Sequence, residues 1–348
     1  MTRIKPLLYC FVLVLHLYSC AQEQPSGYVI TNKFQVEGDG GWDYLTMDDA
    51  TGRLFVSHST KTQVLDSKTG KLIGAIEDTN GVHGITLDQD ANRAFISCGR
   101  DSSVTVIDLA TLQFIAKIKV TGANPDAILY DKYSDRVFVY NGASSNATVI
   151  DPSTNAVVAT IPLAGKPEFS VSDGHGKVYV NIEDKSLVTQ INSETLKVEN
   201  TWPLAPGEEP TGLALDNSTH RLFSVCHNKN MVVMDAQNGA IIAILNIGAG
   251  TDGCAFDPVL KRAYSSNGEG SLTVVQEENE DNFKVIQTLE TQRGARTIGL
   301  DYKTHHLFLP TAEFGPVPEA TPENPHRWPP IKPGTFTILD ISPFGDSD

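Results

Sequence analysis

Residues 48–59 read DDATGRLFVSHS, residues 88–99 read DQDANRAFISCG, and residues 131–142 read DKYSDRVFVYNG. Aligned on their first acidic residue, seven copies of this phrase begin at Asp48, Asp88, Asp131, Asp173, Asp216, Asp257 and Asp301. The spacings are 40, 43, 42, 43, 41 and 44 residues, a period in the range of repeat architectures. A basic residue follows five positions later at Arg53, Arg93, Arg136, Arg221 and Arg262; Lys177 comes four later, and His306 fills the slot in the last copy.

Each copy has the same grammar. An apolar run precedes the Asp, a polar turn follows it, and β-formers come after the basic residue, as in Leu54-Phe55-Val56. A third run ends on an acidic or amide residue, as in Thr148-Val149-Ile150-Asp151, and a fourth follows another turn, as in Val157-Val158-Ala159-Thr160-Ile161. No 3.6-residue periodicity interrupts the pattern. Four short strands in about 40 residues make one propeller blade, so the chain is expected to be all-β, a seven-bladed β-propeller of four-stranded antiparallel blades. The repeat Asp and the basic residue bracket a tight turn, in which the carboxylate accepts backbone N–H bonds and the basic side chain is its expected partner.

The seventh copy stops after its third strand, at Ile338-Leu339-Asp340-Ile341. The missing strand is expected at the other end of the chain, where Tyr28–Val36 looks like Phe283–Leu289 of copy six. Supplying it would close the ring and remove its exposed edges. The single propeller therefore spans 28–343, with a Pro-rich loop at 310–334 in the last blade and a tail at 344–348.

The run Asn124-Pro125-Asp126-Ala127, followed by Arg136-Val137-Phe138-Val139-Tyr140-Asn141, Ala147–Asp151 and Val157–Ile161, resembles the YVTN-type β-propeller repeat of YncE-like proteins. The resemblance covers nearly all of the chain beyond its first 27 residues and departs from the consensus at Gln190-Ile191-Asn192 and Val274-Val275-Gln276. It implies a seven-bladed, usually extracytoplasmic protein of a family whose members are mostly uncharacterised or act in binding. Neighbouring propeller families include lactonases and a lyase acting on a cyclic antibiotic.

Over the 348 residues, 40% are hydrophobic and 20% charged, with a net charge of −15 and no Lys/Arg cluster. Such a chain buries a core, and it lacks the basic footprint that broad binding to nucleic acid or an anionic surface requires. Residues 1–20 read as a signal peptide: Arg3 and Lys5 precede an apolar Leu7–Leu17 run too short to span a bilayer. Its end, Leu17-Tyr18-Ser19-Cys20, resembles the lipobox of bacterial lipoproteins, with Cys20 as the lipidated residue and 21–27 as a tether. Export to the cell envelope, a lipid anchor as the only membrane contact and a monomeric state are the expectations. Cys98, Cys226 and Cys254 form no CxxC pair and read as small buried hydrophobes.

No GxSxG elbow, HExxH or P-loop is present, and the GxGxxG match at 248–253 leads into a strand, which removes the phosphate argument. Propellers place ligands on the axis, at the loops entering each innermost strand. Counting five residues back from each repeat Asp gives Asp43, His83, Asp126, Glu168, Thr211, Asp252 and Arg296. Such a ring can hold a divalent cation through its oxygens, or offer His83 as an acid–base group among crowded carboxylates. A second ring is expected after the second strands at His58, Arg100, Asn141, Glu183, His227 and Asn267, joined in copy seven by Glu313 and Trp328 of the Pro-rich loop.

These readings favour a scaffold binding a small molecule or an envelope protein through its axial face. The alternative is an axial-site lyase or lactonase-like hydrolase using His83, with or without a divalent cation. For the anchor, Cys20→Ser should move the protein from the membrane to the soluble extracytoplasmic fraction with its fold intact. Acyl chains anchor at about 0.8 kcal/mol per buried methylene, so unchanged fractionation would rule out the lipobox.

Overall fold

The computed structural model describes residues 27–319, 321 and 329–343. The signal segment with Cys20, the tether before residue 27, Trp328 and the tail 344–348 lie outside them.

Each copy of the repeat folds into one four-stranded antiparallel sheet, and seven such sheets make up the propeller. In blade 1 the order from axis to rim is Trp42–Asp48, Arg53–His58, Lys61–Asp66 and Leu72–Ile76. The second and third strands are buried on both faces, which is why they read as continuous apolar runs rather than alternating ones. The outer strand is half exposed.

The core is divided into layers between neighbouring blades. Phe55 and Val64 of blade 1 pack on Ile85, Ala94 and Ile96 of blade 2, and Leu54 and Val56 pack on Phe308 and Ile338 of blade 7. One aromatic recurs at the same place in every blade: Phe55, Phe95, Phe138, Tyr179, Phe223, Tyr264 and Phe308 are all buried. Truncating such a side chain to Ala costs about 3–5 kcal/mol. Cys98, Cys226 and Cys254 are buried and free.

The turn after each inner strand places a residue in the left-handed region just before the second strand: Gly52, Asn92, Asp135, Gly176, His220, Lys261 and His305 all have positive φ, and Gly174 adds a second in blade 4. The repeat Asp stabilises this turn by accepting its backbone N–H groups, as Asp257 does from Val259 and Leu260, and Asp301 from Lys303 and Thr304. The expected pairing with the basic residue holds in blade 1, where Arg53 meets Asp48 at 2.8 Å. Elsewhere it is corrected. Arg221 pairs with Asp235 at 3.3 Å, and His306 with Asp340 at 2.7 Å. In the register Arg221 lies opposite both Asp216 and Asp235, and the Asp216 carboxylate is already taken by Ser218 and Thr219.

Tyr28–Gln35 pairs antiparallel with Thr337–Pro343 and completes blade 7. Gln287 of blade 6 clamps both backbone groups of Tyr28, at 2.6 and 2.9 Å, and the Tyr28 hydroxyl bonds that of Tyr264 at 2.7 Å. The inner strand of blade 7 is reduced to Gly299–Leu300, because residues ahead of it bond locally: Ala295 to Gln292, and Arg296 to Gly294. Deleting Tyr28–Val36 should abolish cooperative folding, read as loss of a single calorimetric transition. A soluble deletion variant melting within a degree or two of the parent would overturn the closure.

Candidate functional site

The axial end of six inner strands carries a register irregularity at the position picked out by counting back from the repeat Asp. Pairing breaks between Trp42 and Leu45, Val82 and Ile85, Pro125 and Ile128, Pro167 and Ser170, Pro210 and Leu213, and Thr251 and Gly253. Such bulges free a residue from the ladder and re-aim its side chain. Second-strand hydroxyls hold them: Ser57 accepts from the Asp43 amide at 2.8 Å, and Ser97 accepts from the Gly84 amide at 2.8 Å.

Asp43, His83, Asp126, Glu168, Thr211, Asp252 and Arg296 consequently line one cavity of about 700 Å³. Its floor was not legible in the sequence. The residues following the ring positions are small in five blades (Gly84, Ala127, Gly212, Gly253 and Thr297) and aromatic in two, Tyr44 and Phe169. The small residues leave room for Tyr44 to reach Phe169 of blade 4, with ring centres 5.4 Å apart. Tyr44 is 7% exposed, and its hydroxyl has no hydrogen-bond partner among the described residues. It lines the cavity and lies in the field of Asp126, Glu168, Asp43 and Asp252.

The ring charges are interlocked. His83 Nδ1 lies 2.6 Å from Asp43 Oδ2 and 3.6 Å from Asp126 Oδ1. Arg296 bridges Asp252 at 2.7 Å and Asp43 at 3.2 Å. Lys166, which sequence reasoning missed, sits 2.7 Å from Glu168 and also meets Glu183.

Burial works against a charged His83, but the Asp43 hydrogen bond and the charges of Asp126 and Asp43 outweigh it and raise its proton affinity. Burial and then the Asp43 charge push Asp126 up, against the pull of His83. Burial and then Asp126 push Glu168 up, against Lys166. Burial also raises Asp252, with Arg296 opposing.

The second expected ring divides. Glu183 and His227 line the cavity. His58, Asn141 and Asn267 do not reach the loop face, because they are buried within their own blades. His58 bonds Gln63 at 2.6 Å beneath Phe336, Asn141 bonds Asn146 and Thr148, and Asn267 bonds Ser271 and Thr273. Arg100 is exposed beside Gly81. Glu313 pairs with Lys332 at 2.9 Å on the loop surface. The base of the Pro-rich loop, bridged between Phe314 and Ile331, forms part of the cavity wall with Trp42.

No family model matches the chain, and no curated protein matches it. Among solved structures the chain is similar to Kuenenia stuttgartiensis hydrazine synthase, with a TM-score of 0.67 and 17% identity over 79% of this chain and 94% of that one. At that identity the likeness shows the propeller fold alone.

The ring carries a pH signature. Groups whose proton affinity is raised by folding contribute stability that is complete below their unfolded pKa, about 4 for the carboxyls and about 6.5 for His. That stability is lost as pH rises through the raised folded values. The melting temperature should therefore fall between about pH 6 and pH 9, and Glu168→Gln should flatten that fall. A wild-type profile already flat over that window would contradict the assignment.

Proposed function

We propose that the chain is an extracytoplasmic, lipid-anchored β-propeller of the YVTN type that binds a small polar ligand in its axial cavity. The observation that carries this reading is the convergence of charged side chains from six blades on one cavity that Tyr44 also lines, its hydroxyl without a hydrogen-bond partner among the described residues. A cavity of about 700 Å³ matches the roughly 300–1,000 Å³ of small-molecule sites. Crowded carboxylates are unfavourable to one another, so a cluster of them in a cavity that Tyr44 also lines favours an occupant bringing donors or positive charge.

The His83–Asp43 contact supports a second reading, an axial-site lyase or lactonase-type hydrolase. A histidine oriented by a carboxylate is an acid–base arrangement. With its proton affinity raised, His83 is suited to donate a proton rather than to take one at neutral pH, and this makes binding the stronger reading.

The discriminating variant is Tyr44→Phe. Removing a cavity-lining hydroxyl that has no hydrogen-bond partner among the described residues is close to neutral for stability, so the variant should melt within a degree or two of wild type. A thermal-shift panel of amines, amino acids, sugars and lactones should give a ligand that stabilises wild type and stabilises Tyr44→Phe and Glu168→Gln less. Equal stabilisation of all three proteins would place the ligand elsewhere. Turnover of a lactone, abolished in His83→Ala, would favour the enzymatic reading.

A further inference from the structure

We infer that Asp43, His83 and Asp126 bind a divalent transition-metal cation, of the Mn²⁺ or Zn²⁺ kind, at the axial ends of blades 1, 2 and 3. The inference rests on the axial cavity being a binding site and names the chemistry of its occupant.

Each of the three residues offers a ligand atom, and all three atoms lie within 4.8 Å of one another. A cation about 2.0–2.2 Å from its nitrogen and oxygen ligands places neighbouring ligand atoms roughly 3–3.5 Å apart. His83 Nδ1 and Asp126 Oδ1, at 3.6 Å, are already close to that spacing. The 2.6 Å between Nδ1 and Asp43 Oδ2 is a gap bridged by a proton, and a small rotation of the Asp43 carboxylate widens it for a metal.

The ligands are held from behind. Asp43 Oδ1 accepts from Arg296 at 3.2 Å, and the Asp43 carbonyl accepts from Thr297 at 2.6 Å. The His83 ring is backed by Gly99, where even a Cβ would stand 2.7 Å from Nε2. Groups that orient metal ligands in this way are part of a metal site's affinity.

Two further observations favour a cation. Tyr44 is 7% exposed and lines the cavity, its hydroxyl has no hydrogen-bond partner among the described residues, and it feels Asp126 more than any other charge. A metal at the triad keeps open positions for water, and such a water is a partner for this hydroxyl. The composition of the lining points the same way. Asp43, Asp126, Glu168, Glu183, Asp252 and Glu269 outnumber Lys166, Arg293 and Arg296 around the cavity, a setting that favours a cation as the occupant. The imidazole selects first-row transition metals over Ca²⁺ and Mg²⁺, which prefer sets of oxygen ligands.

The full chain, stripped with EDTA, is dialysed to equilibrium against Mn²⁺ and against Zn²⁺, with millimolar Ca²⁺ and Mg²⁺ as competitors. One equivalent of metal per chain is expected, with a raised melting temperature and, for Mn²⁺, nitrogen hyperfine coupling in the pulsed EPR spectrum. His83→Gln and Asp126→Asn should each weaken binding by about tenfold or more, while Asp90→Asn, on the far side of blade 2, should bind as wild type does. Asp126→Asn is expected to fold, because it relieves a crowded carboxylate, and melting in EDTA verifies this. Substoichiometric metal, affinity unaffected by either triad variant, or absence of nitrogen coupling overturns the inference. If metal fails to bind while a small organic ligand still stabilises wild type over Tyr44→Phe, the metal site falls and the cavity remains a binding site.

Discussion

The antiparallel pairing of Tyr28–Gln35 with Thr337–Pro343 is the contact on which the rest of the molecule depends. A blade has two apolar faces and cannot bury them alone. Each face is covered only by a neighbour, so the arrangement has no free end only if the last blade meets the first. The chain completes blade 7 with a strand from its N-terminal side, and Gln287 and Tyr264 of blade 6 fasten that strand at Tyr28. The joint thus ties ring closure to an adjacent blade as well as to its own sheet.

Closure also creates the site. Seven inner strands start around a common axis, so whatever residue stands at each start is forced into the company of the others. The bulges at Asp43, His83, Asp126, Glu168, Thr211 and Asp252 turn those side chains inward, where burial favours the neutral forms of Asp126, Glu168 and Asp252. Arg296 and Lys166 compensate part of the charge. Tyr44, packed against Phe169 of blade 4, lines the cavity that closure creates. The cavity is a consequence of ring geometry, and its acidity is a choice of sequence made at one position per blade.

The sequence was most readable where the physics is local. The turn residues, the apolar runs and the missing fourth strand all belong to segments of about 40 residues, and the structure reproduces each. It was less readable where a residue's environment depends on another blade or on register. His58, Asn141 and Asn267 have the composition of loop-face residues, yet each ends a strand whose neighbours bury it. Arg221 and His306 follow the repeat Asp in sequence, but in the fold Arg221 pairs with Asp235, its cross-strand neighbour, and His306 with Asp340. Tyr44 looks like one more apolar position in an inner strand, and nothing local marks it as the residue that meets Phe169 of blade 4.

By itself, then, the sequence determined the blade count, the strands within each blade, the closing strand and the identity of the residues at the axial mouth. Periodicity and turn chemistry act over a few residues and repeat seven times, so they survive in one dimension. Only the tertiary structure decided which of those residues meet: His83 with Asp43, Arg296 with Asp252 and Asp43, Lys166 with Glu168, and Tyr44 with Phe169. Asp43 and Arg296 are 253 residues apart in the chain yet 3.2 Å apart in space, and no local rule brings them together. Ring closure does so, because it converts seven equivalent positions in sequence into neighbours around one axis.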